Sequence, residues 1–212
     1  MKENKQLIYV YGKGRYEDEY ITFGVEPDEL LHDYDAYEKF IKNCENAVRK
    51  EDRYTAYVGE MKKAGLTRCA VLGNLEEDSK VKIEMHHGPI FNMFDICDIV
   101  TKAVIKRGQL KVITEFDIAD LVLEEHRLGN IMTVMLSKSV HKGSHPKSGK
   151  SVFVDIKATV GRIDRFIDRW IDGMEDEHID MIRRYINECK RAENQTMDND
   201  LFATAERLLR FK

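Results

Sequence analysis

Apolar residues recur at helical spacing along much of the chain, so their pattern predicts a helix-rich protein. Helices are predicted from about residue 33 to 50 and over 54–65, where Gly65 would end the second helix. Two more, over 93–108 and 114–129, each end in a glycine, and Thr114 is a candidate N-cap. Helical patterns return from about residue 159 in "GRIDRFIDRWIDGM", "EHIDMIRRYINECKRAE" and "NDLFATAERLLRF".

Short strand-like runs lie before, between and after these helices. "QLIYVYG" and "YITFGV" are rich in β-branched and aromatic residues, which favour strands. "TRCAVLG" and "SKVKIEM" predict a β-hairpin, because the second run alternates apolar and polar residues. An extended "NIMTVML", a short helix "SKSVHKGSH" and a strand-like "SVFVDIK" follow later. The predicted fold class is therefore α+β.

A shift in composition marks the N-terminal region, since eight of the nine tyrosines lie in the first 57 residues. Together with the order of elements, this shift predicts three segments. They are an N-terminal α/β unit at 1–65, a central core with a helical insertion at 66–158, and a C-terminal helical extension at 159–212.

Composition excludes several classes of protein. With 42% hydrophobic residues, 34% charged residues and only 3 prolines, the chain is expected to fold and to be soluble. No apolar run is long enough to span a bilayer, and "MKENKQLIYV" lacks the features of a signal peptide, so we expect a cytoplasmic protein without a membrane partner. The four cysteines form no CxxC motif, which favours buried, reduced thiols over disulfides or a four-cysteine zinc site.

The histidines carry the candidate chemistry. Four of the seven form two pairs: the doublet His86-His87, and His141 with His145, which would share one face of a short helix. Pro146 restricts His145 to the last turn of that helix. Three imidazoles can hold a metal ion with one position open, and a fourth, neutral imidazole can take a proton from water.

Neighbouring side chains on a strand point to opposite faces, which is a difficulty for the doublet. Both rings could reach one phosphate only if the strand breaks its alternation at or just after His87. Gly88 and Pro89 are residues that permit such a bend.

Local charge is consistent with an anionic substrate. The net charge of −4 argues against a protein coated with nucleic acid. Residues 127–151, however, contain no acidic residue, and this window surrounds the second histidine pair. Its bases, Arg127, Lys138, Lys142, Lys147 and Lys150, would attract a polyanion.

In combination, "MHHGPI", a later Asn130 and a helix with His-x3-His resemble the HNH nucleases, the ββα-metal or His-Me finger superfamily. The segment "NIMTVMLSKSVHKGSHPKSGK" is similar to the end of the colicin DNase domains, and the general pattern is similar to phage-encoded free-standing HNH proteins. The resemblance covers about residues 66–155. It implies a ββα-metal core and a metal-dependent endonuclease that hydrolyses phosphodiester bonds in DNA by a one-metal mechanism, in the host cytoplasm if a phage encodes it.

The resemblance also implies roles for single residues. His86, His141 and His145 would be metal ligands, with a phosphate contact as the alternative for His145, and His87 would be the general base. Asn130 would orient the base or brace the loop. The implied nucleic-acid contacts are Lys138, Lys142, Lys147 and Lys150.

The same resemblance leaves several points open. The 42 residues between His87 and Asn130 exceed the short loop of many relatives, so His126 is a rival for the role of Asn130. The implied cofactor is one divalent ion, Mg²⁺ or Mn²⁺ for activity, while imidazole ligands also suit Zn²⁺ or Ni²⁺. Glu84 and Asp95 could assist the metal, or be an exposed strand residue and a helix-start residue.

Two other classes of function fit the sequence. A non-catalytic module could use the histidines to hold a structural zinc while its basic window binds nucleic acid or a protein. In an interaction protein, the histidines would only cap helices and pack. A homodimer through the amphipathic C-terminal helices is a further prediction.

Overall fold

The computed structural model of the protein describes residues 7–10, 21–78, 80–108, 110–144 and 153–191. Helices predominate and the short strands pair antiparallel, so the protein is of the predicted α+β class. The strands are β1 (Leu7–Val10), β2 (Ile21–Gly24), β3 (Ile83–His87) and β4 (Thr133–Ser137). The helices are α1 (Pro27–His32), α2 (Tyr34–Lys50), α3 (Asp52–Lys63), α4 (Met93–Lys106), α5 (Glu115–Arg127), α6 (Lys138–Ser144), α7 (Ile163–Trp170) and α8 (Asp176–Arg191).

The helix starts follow the local capping chemistry. Thr114 caps α5 through its side chain, which accepts the N–H of Asp117, and the Asp117 carboxylate accepts the N–H of Thr114 in return. Asn92 and Asp95 form the same reciprocal box at the start of α4, which confirms Asp95 as a helix-start residue. Such caps satisfy N–H groups that the helix itself leaves unpaired.

The strand pairing differs from the predicted hairpin. β1 pairs with β2, but β3 pairs antiparallel with β4, in a register that sets His87 opposite Thr133. Residues 66–78 instead form a loop closed by an isolated bridge between Arg68 and Glu76. Every residue of β4 is buried, including the polar Thr133 and Ser137 at its ends, so β4 gives β3 a fully buried partner that alternation within "SKVKIEM" could not reveal.

The predicted strand "SVFVDIK" is also different in the structure. Its described part is irregular and ends in a short 3₁₀ turn at Ile156–Ala158. The Asp155 carboxylate accepts the N–H of Lys157 and so caps this turn. A single bridge between Thr133 and Val160 attaches the following residues to β4.

The order of elements around β3 decides what lies near the histidines. Helices α4 and α5 are inserted between β3 and β4, and α6 follows β4 directly and packs on both strands. Two antiparallel strands and a helix thus come together although α4 and α5 separate them in sequence.

In the part of the chain that the structure describes, two apolar clusters form the core. The larger one joins α2, α4, α5, α7 and α8, with Phe40, Val100 and Phe166 among its buried residues. The smaller one lies between β3, β4 and α3. Side chains from all three predicted segments enter the larger cluster, and the proposed segment boundaries stay a prediction.

The four cysteines are buried, as expected from their spacing, and none forms a disulfide. Among the described residues, no helix is both long and apolar enough to cross a membrane.

A buried carboxylate links three of the core helices. Asp98 on α4 accepts hydrogen bonds from the Tyr37 hydroxyl at 2.7 Å and from Lys102 Nζ at 2.8 Å, and lies 3.2 Å from His178 Nε2. Although burial raises its pKa, hydrogen bonds from His178, Lys102 and Tyr37 hold the pKa of Asp98 below its ordinary value. The charged carboxylate therefore connects α2, α4 and α8.

We expect Asp98→Asn to lower the free energy of unfolding by roughly 3 kcal/mol, because the buried His178 and the half-buried Lys102 would both lose a charged partner. Urea denaturation measures the change. The matched control is Asp120→Asn, which breaks an exposed ion pair with Arg53 and should cost less than about 1 kcal/mol. Equal effects of the two substitutions would contradict a structural role for the Asp98 network.

Candidate active site

The histidine doublet lies at the end of β3, and the strand stays regular through it. Ile83, Met85 and His87 are buried on one face, while Glu84 and His86 are only partly buried on the other. Of the two predicted places for a break, at His87 or just after it, the structure has the second: alternation continues through His87 and the chain turns at Gly88. The two imidazoles point to opposite faces and take different partners.

On the outer face, His86 meets His141 of α6. The two ring centroids are 4.9 Å apart in an edge-to-face arrangement. His141 Nδ1 lies 2.8 Å from Glu84 Oε2, and this hydrogen bond, more than the nearby Lys138 and Lys142, lowers the pKa of Glu84. A histidine that gives one ring nitrogen to a carboxylate is oriented to use the other as a metal ligand. Coordination by His141 would thus use Nε2.

The donor set on this face suits a divalent ion in part. His86 and His141 are two of the three predicted ligands, and the third, His145, lies outside the described residues. Within the described ranges, no group of three or more His, Cys, Asp or Glu side chains is arranged to hold an ion. The described residues therefore supply two imidazoles and an orienting carboxylate.

On the inner face, His87 pairs with His126 of α5. Their Nε2 atoms are 2.9 Å apart, and His126 Nδ1 lies 2.7 Å from the Val122 carbonyl. A carbonyl only accepts, so His126 Nδ1 carries the proton and its Nε2 accepts from His87 Nε2–H. This hydrogen-bond network assigns the lone pair of the neutral His87 ring to Nδ1.

Aromatic rings enclose this histidine pair. Tyr54 stacks on His87 at 6.0 Å, and Tyr54 and Tyr57 meet His126 edge-on at 5.6 and 5.2 Å. Burial lowers the pKa of His126 to about 4. Burial, followed by the neighbouring His126 and Arg49, holds the pKa of His87 well below its ordinary value. Both rings are therefore neutral at pH 7.

The two faces meet at a pocket of about 310 Å³ beyond the end of β3. Gly88 turns the chain there with φ +145°, and a Cβ at this position would come within 3.1 Å of His86 Nε2. Glycine thus keeps the chain close to the ring. The pocket is lined by Glu45, Arg49, Met85, His86, His87, Gly88, Pro89, Ile90, Asn92, Met93, Asp95, His141 and Met181.

Asn130 does not line this pocket. Its Nδ2 donates to Glu125 Oε2 at 2.7 Å, and Glu125 Oε1 lies 3.0 Å from Arg169 Nη1. Both Asn130 and Glu125 are buried, so the amide braces the turn between α5 and β4. A bracing role was one of the two expected for Asn130. His126, the alternative to Asn130 in the sequence analysis, makes the contact with His87, the predicted base.

The predicted nucleic-acid contacts are only partly described. Lys138 and Lys142 are exposed on α6, while Lys147 and Lys150 lie outside the described residues. Arg127, from the same basic window, pairs with Glu124 on α5.

Sequence reasoning left three contributors without a firm role. The sequence indicates His126 only as a rival for the role of Asn130, and it leaves Glu84 either as a residue that assists the metal or as an exposed strand residue. Arg49, which lines the pocket and pairs with Glu45 at 2.8 Å, had no signal beyond the ordinary basic end of an amphipathic helix. Its position depends on the packing of α2, far from the motif in sequence.

The chain resembles a known protein family along its whole length. A protein-family model described as "Bacteriophage G278-like virion protein" matches residues 1–212. No curated protein matches the chain, and neither does any solved structure.

The low pKa of His126 predicts a pH-dependent stability. Between about pH 6.5 and 4, the unfolded chain binds a proton that the folded ring does not, so stability is greatest above this window and falls as the pH drops through it. His126→Gln removes this titration. We expect the wild type to lose about 1–3 kcal/mol more than the variant across the window, measured by urea denaturation. If the free energy of unfolding falls by the same amount in the wild type and the variant over this pH range, a neutral, buried His126 would be contradicted.

Proposed function

The chain belongs to the bacteriophage G278-like virion protein family, and we propose that it is a virion-associated, metal-dependent endonuclease that hydrolyses phosphodiester bonds in DNA. The observation that supports this proposal best is the shared pocket, in which a neutral, oriented His87 lies beside the His86–His141 pair. In the same proposal, β3, β4 and α6 form a ββα-metal core of the HNH type.

His87 is the proposed general base. Its pKa keeps the ring unprotonated at neutral pH, and the hydrogen bond to His126 leaves the lone pair on Nδ1. A water molecule that donates to Nδ1 would lose its proton there as it attacks the phosphorus. The proton taken up at Nδ1 would make His87 a cation, and the acceptor His126 Nε2 would stabilise that cation.

His86 and His141, with His145, are the proposed ligands of one divalent ion. Such an ion, when bound, offsets negative charge on the phosphate and on the leaving oxygen. Glu84 orients the His141 ring through Nδ1. Mg²⁺ or Mn²⁺ would serve activity, and Zn²⁺ or Ni²⁺ could occupy the same imidazoles.

Arg49 is a proposed phosphate contact. It lines the pocket, and its pairing with Glu45 keeps the guanidinium at the pocket wall. A guanidinium can donate two hydrogen bonds to one phosphate. If a phosphate oxygen of the substrate displaced the Glu45 carboxylate from Arg49, the guanidinium would still have an anionic partner.

Family membership supports a location in the virion, while the sequence favoured the host cytoplasm. We propose synthesis in the host cytoplasm followed by incorporation into the particle. The proposed partner is DNA. A homodimer through the C-terminal helices stays a prediction, and the apolar faces of α7 and α8 are largely buried in the core of the chain.

A second candidate is the non-catalytic binding module. The observation that favours it is the exposed pair of lysines on α6, Lys138 and Lys142, beside the His86–His141 pair. In that case the histidines would hold a structural zinc, and the basic surface would bind nucleic acid or a protein.

Plasmid DNA incubated with the protein and Mg²⁺ or Mn²⁺ should be cut, and chelation of the ion should stop the cutting. We expect His87→Ala to slow cleavage by about 100- to 10,000-fold, because the base is lost. The matched control is His32→Ala, a substitution of an exposed histidine on α1, which should cut at the wild-type rate. A wild type that cuts no nucleic acid, or a His87→Ala variant that cuts equally well, would favour the binding module.

His126 can be tested as the residue that orients the base. His126→Gln keeps an acceptor for His87 Nε2–H, whereas His126→Leu removes it. We expect the Leu variant to lose about 10- to 100-fold in kcat with little change in KM, and the Gln variant to recover most of that loss. Equal losses in both variants, or a loss confined to KM, would contradict the orienting role.

A further inference from the structure

A second pocket, of about 410 Å³, lies at the other end of β3. Four lysines line it, two from the chain entering β3 and two from α6, and we refer to these four side chains as the lysine pocket. They are Lys80, Lys82, Lys138 and Lys142, accompanied by Leu75, Val81, Ser137 and Ser139.

The lysine pocket is strongly cationic. Among the described residues, no carboxylate lines it and no ion pair includes any of its four lysines. All four are exposed, so their charges repel one another across the pocket. Two nearby acidic groups already have partners: Glu84 accepts the hydrogen bond from His141, and Asp78 accepts the backbone N–H groups of Lys80 and Val81. An anion from outside the chain would relieve this repulsion.

The lysine pocket and the histidines share one face of the structure. Lys82, Glu84 and His86 alternate along the chain and so point the same way, and the N–H of Lys138 extends the β4 pairing by bonding to the Lys82 carbonyl. From Lys82 to His86 the strand rises about 13 Å. On α6, His141 lies three residues after Lys138 and so on the same side of the helix, which brings the same two sites together.

We propose that the lysine pocket binds backbone phosphates of the nucleic acid whose scissile phosphate lies in the histidine pocket. This inference rests on the proposed function and specifies its substrate as a strand that extends several nucleotides beyond the bond that is cut. DNA carries a charge about every 3.4 Å along each strand, so 13 Å spans a few phosphates. Lysine ammonium groups contact phosphates as point charges, so binding here is independent of base sequence.

Salt-dependent binding tests the lysine pocket without relying on cleavage. Fluorescence anisotropy of a short labelled DNA duplex, in chelator, gives the dissociation constant over a series of salt concentrations. We expect the double variant Lys80→Gln/Lys82→Gln to reduce the slope of log affinity against log salt by about 1–2, since each lost phosphate contact removes roughly 0.9. Neither lysine belongs to the proposed catalytic machinery.

The matched control is Lys106→Gln/Lys111→Gln, which removes the same charge from exposed positions outside the pocket. Its slope should equal that of the wild type. An equal reduction in both double variants, an unchanged slope in the pocket variant, or no DNA binding by the wild type would overturn the inference. Binding of polyglutamate as tight as that of DNA, with the same loss in the pocket variant, would also overturn it, in favour of an acidic protein partner.

Cleavage separates this inference from the proposed function. If the wild type cuts plasmid DNA while the salt slope of the pocket variant equals that of the wild type, phosphate binding by the lysine pocket is contradicted and the proposed nuclease function is supported. If the salt slope falls in the pocket variant but not in the control variant, while the wild type cuts no DNA, phosphate binding by the lysine pocket is supported and the proposed nuclease function is contradicted.

Discussion

The antiparallel pairing of β3 with β4 is the contact on which the candidate site depends. It sets His87 opposite Thr133 and brings α6 onto the outer face of β3, where His141 meets His86. Because α5 leads directly into β4, the same pairing carries His126 to the inner face. The inserted helices α4 and α5 are held by the large apolar cluster, so the cost of closing the long loop between the strands is met by core burial.

Regular alternation along β3 gives the two histidines different environments. His86 is partly exposed beside His141 and Glu84, in surroundings that suit a ligand, while His87 is enclosed by Tyr54 and the neutral His126, in surroundings that suit a base. A bend within the strand would have placed both rings in one environment. The turn at Gly88 instead lets the pocket reach both faces at the strand end, so two differently tuned imidazoles line one cavity.

The same geometry connects binding to the proposed chemistry. The lysine pocket, Glu84 and the histidine pocket follow one another along a single face of β3 and α6. A polyanion bound along this face would contact charges that attract its backbone at one end and the proposed hydrolytic groups at the other. Arg49 reaches this site from α2, which shows that the N-terminal helices contribute to its walls as well as to the core.

Local patterns in the sequence determined the helices and the candidate residues. Capping chemistry at Thr114 and the glycines after α3, α4 and α5 act over a few residues, so their effect can be predicted without the fold. The doublet and His141 were likewise identified from residue type and spacing. Only the tertiary structure decided which strand pairs with β3, because pairing depends on burial of the whole β4 strand and not on alternation within one segment. It also decided that His126, rather than Asn130, contacts His87, since both precede β4 and His126 packs against Tyr54 and Tyr57 on the side that faces His87.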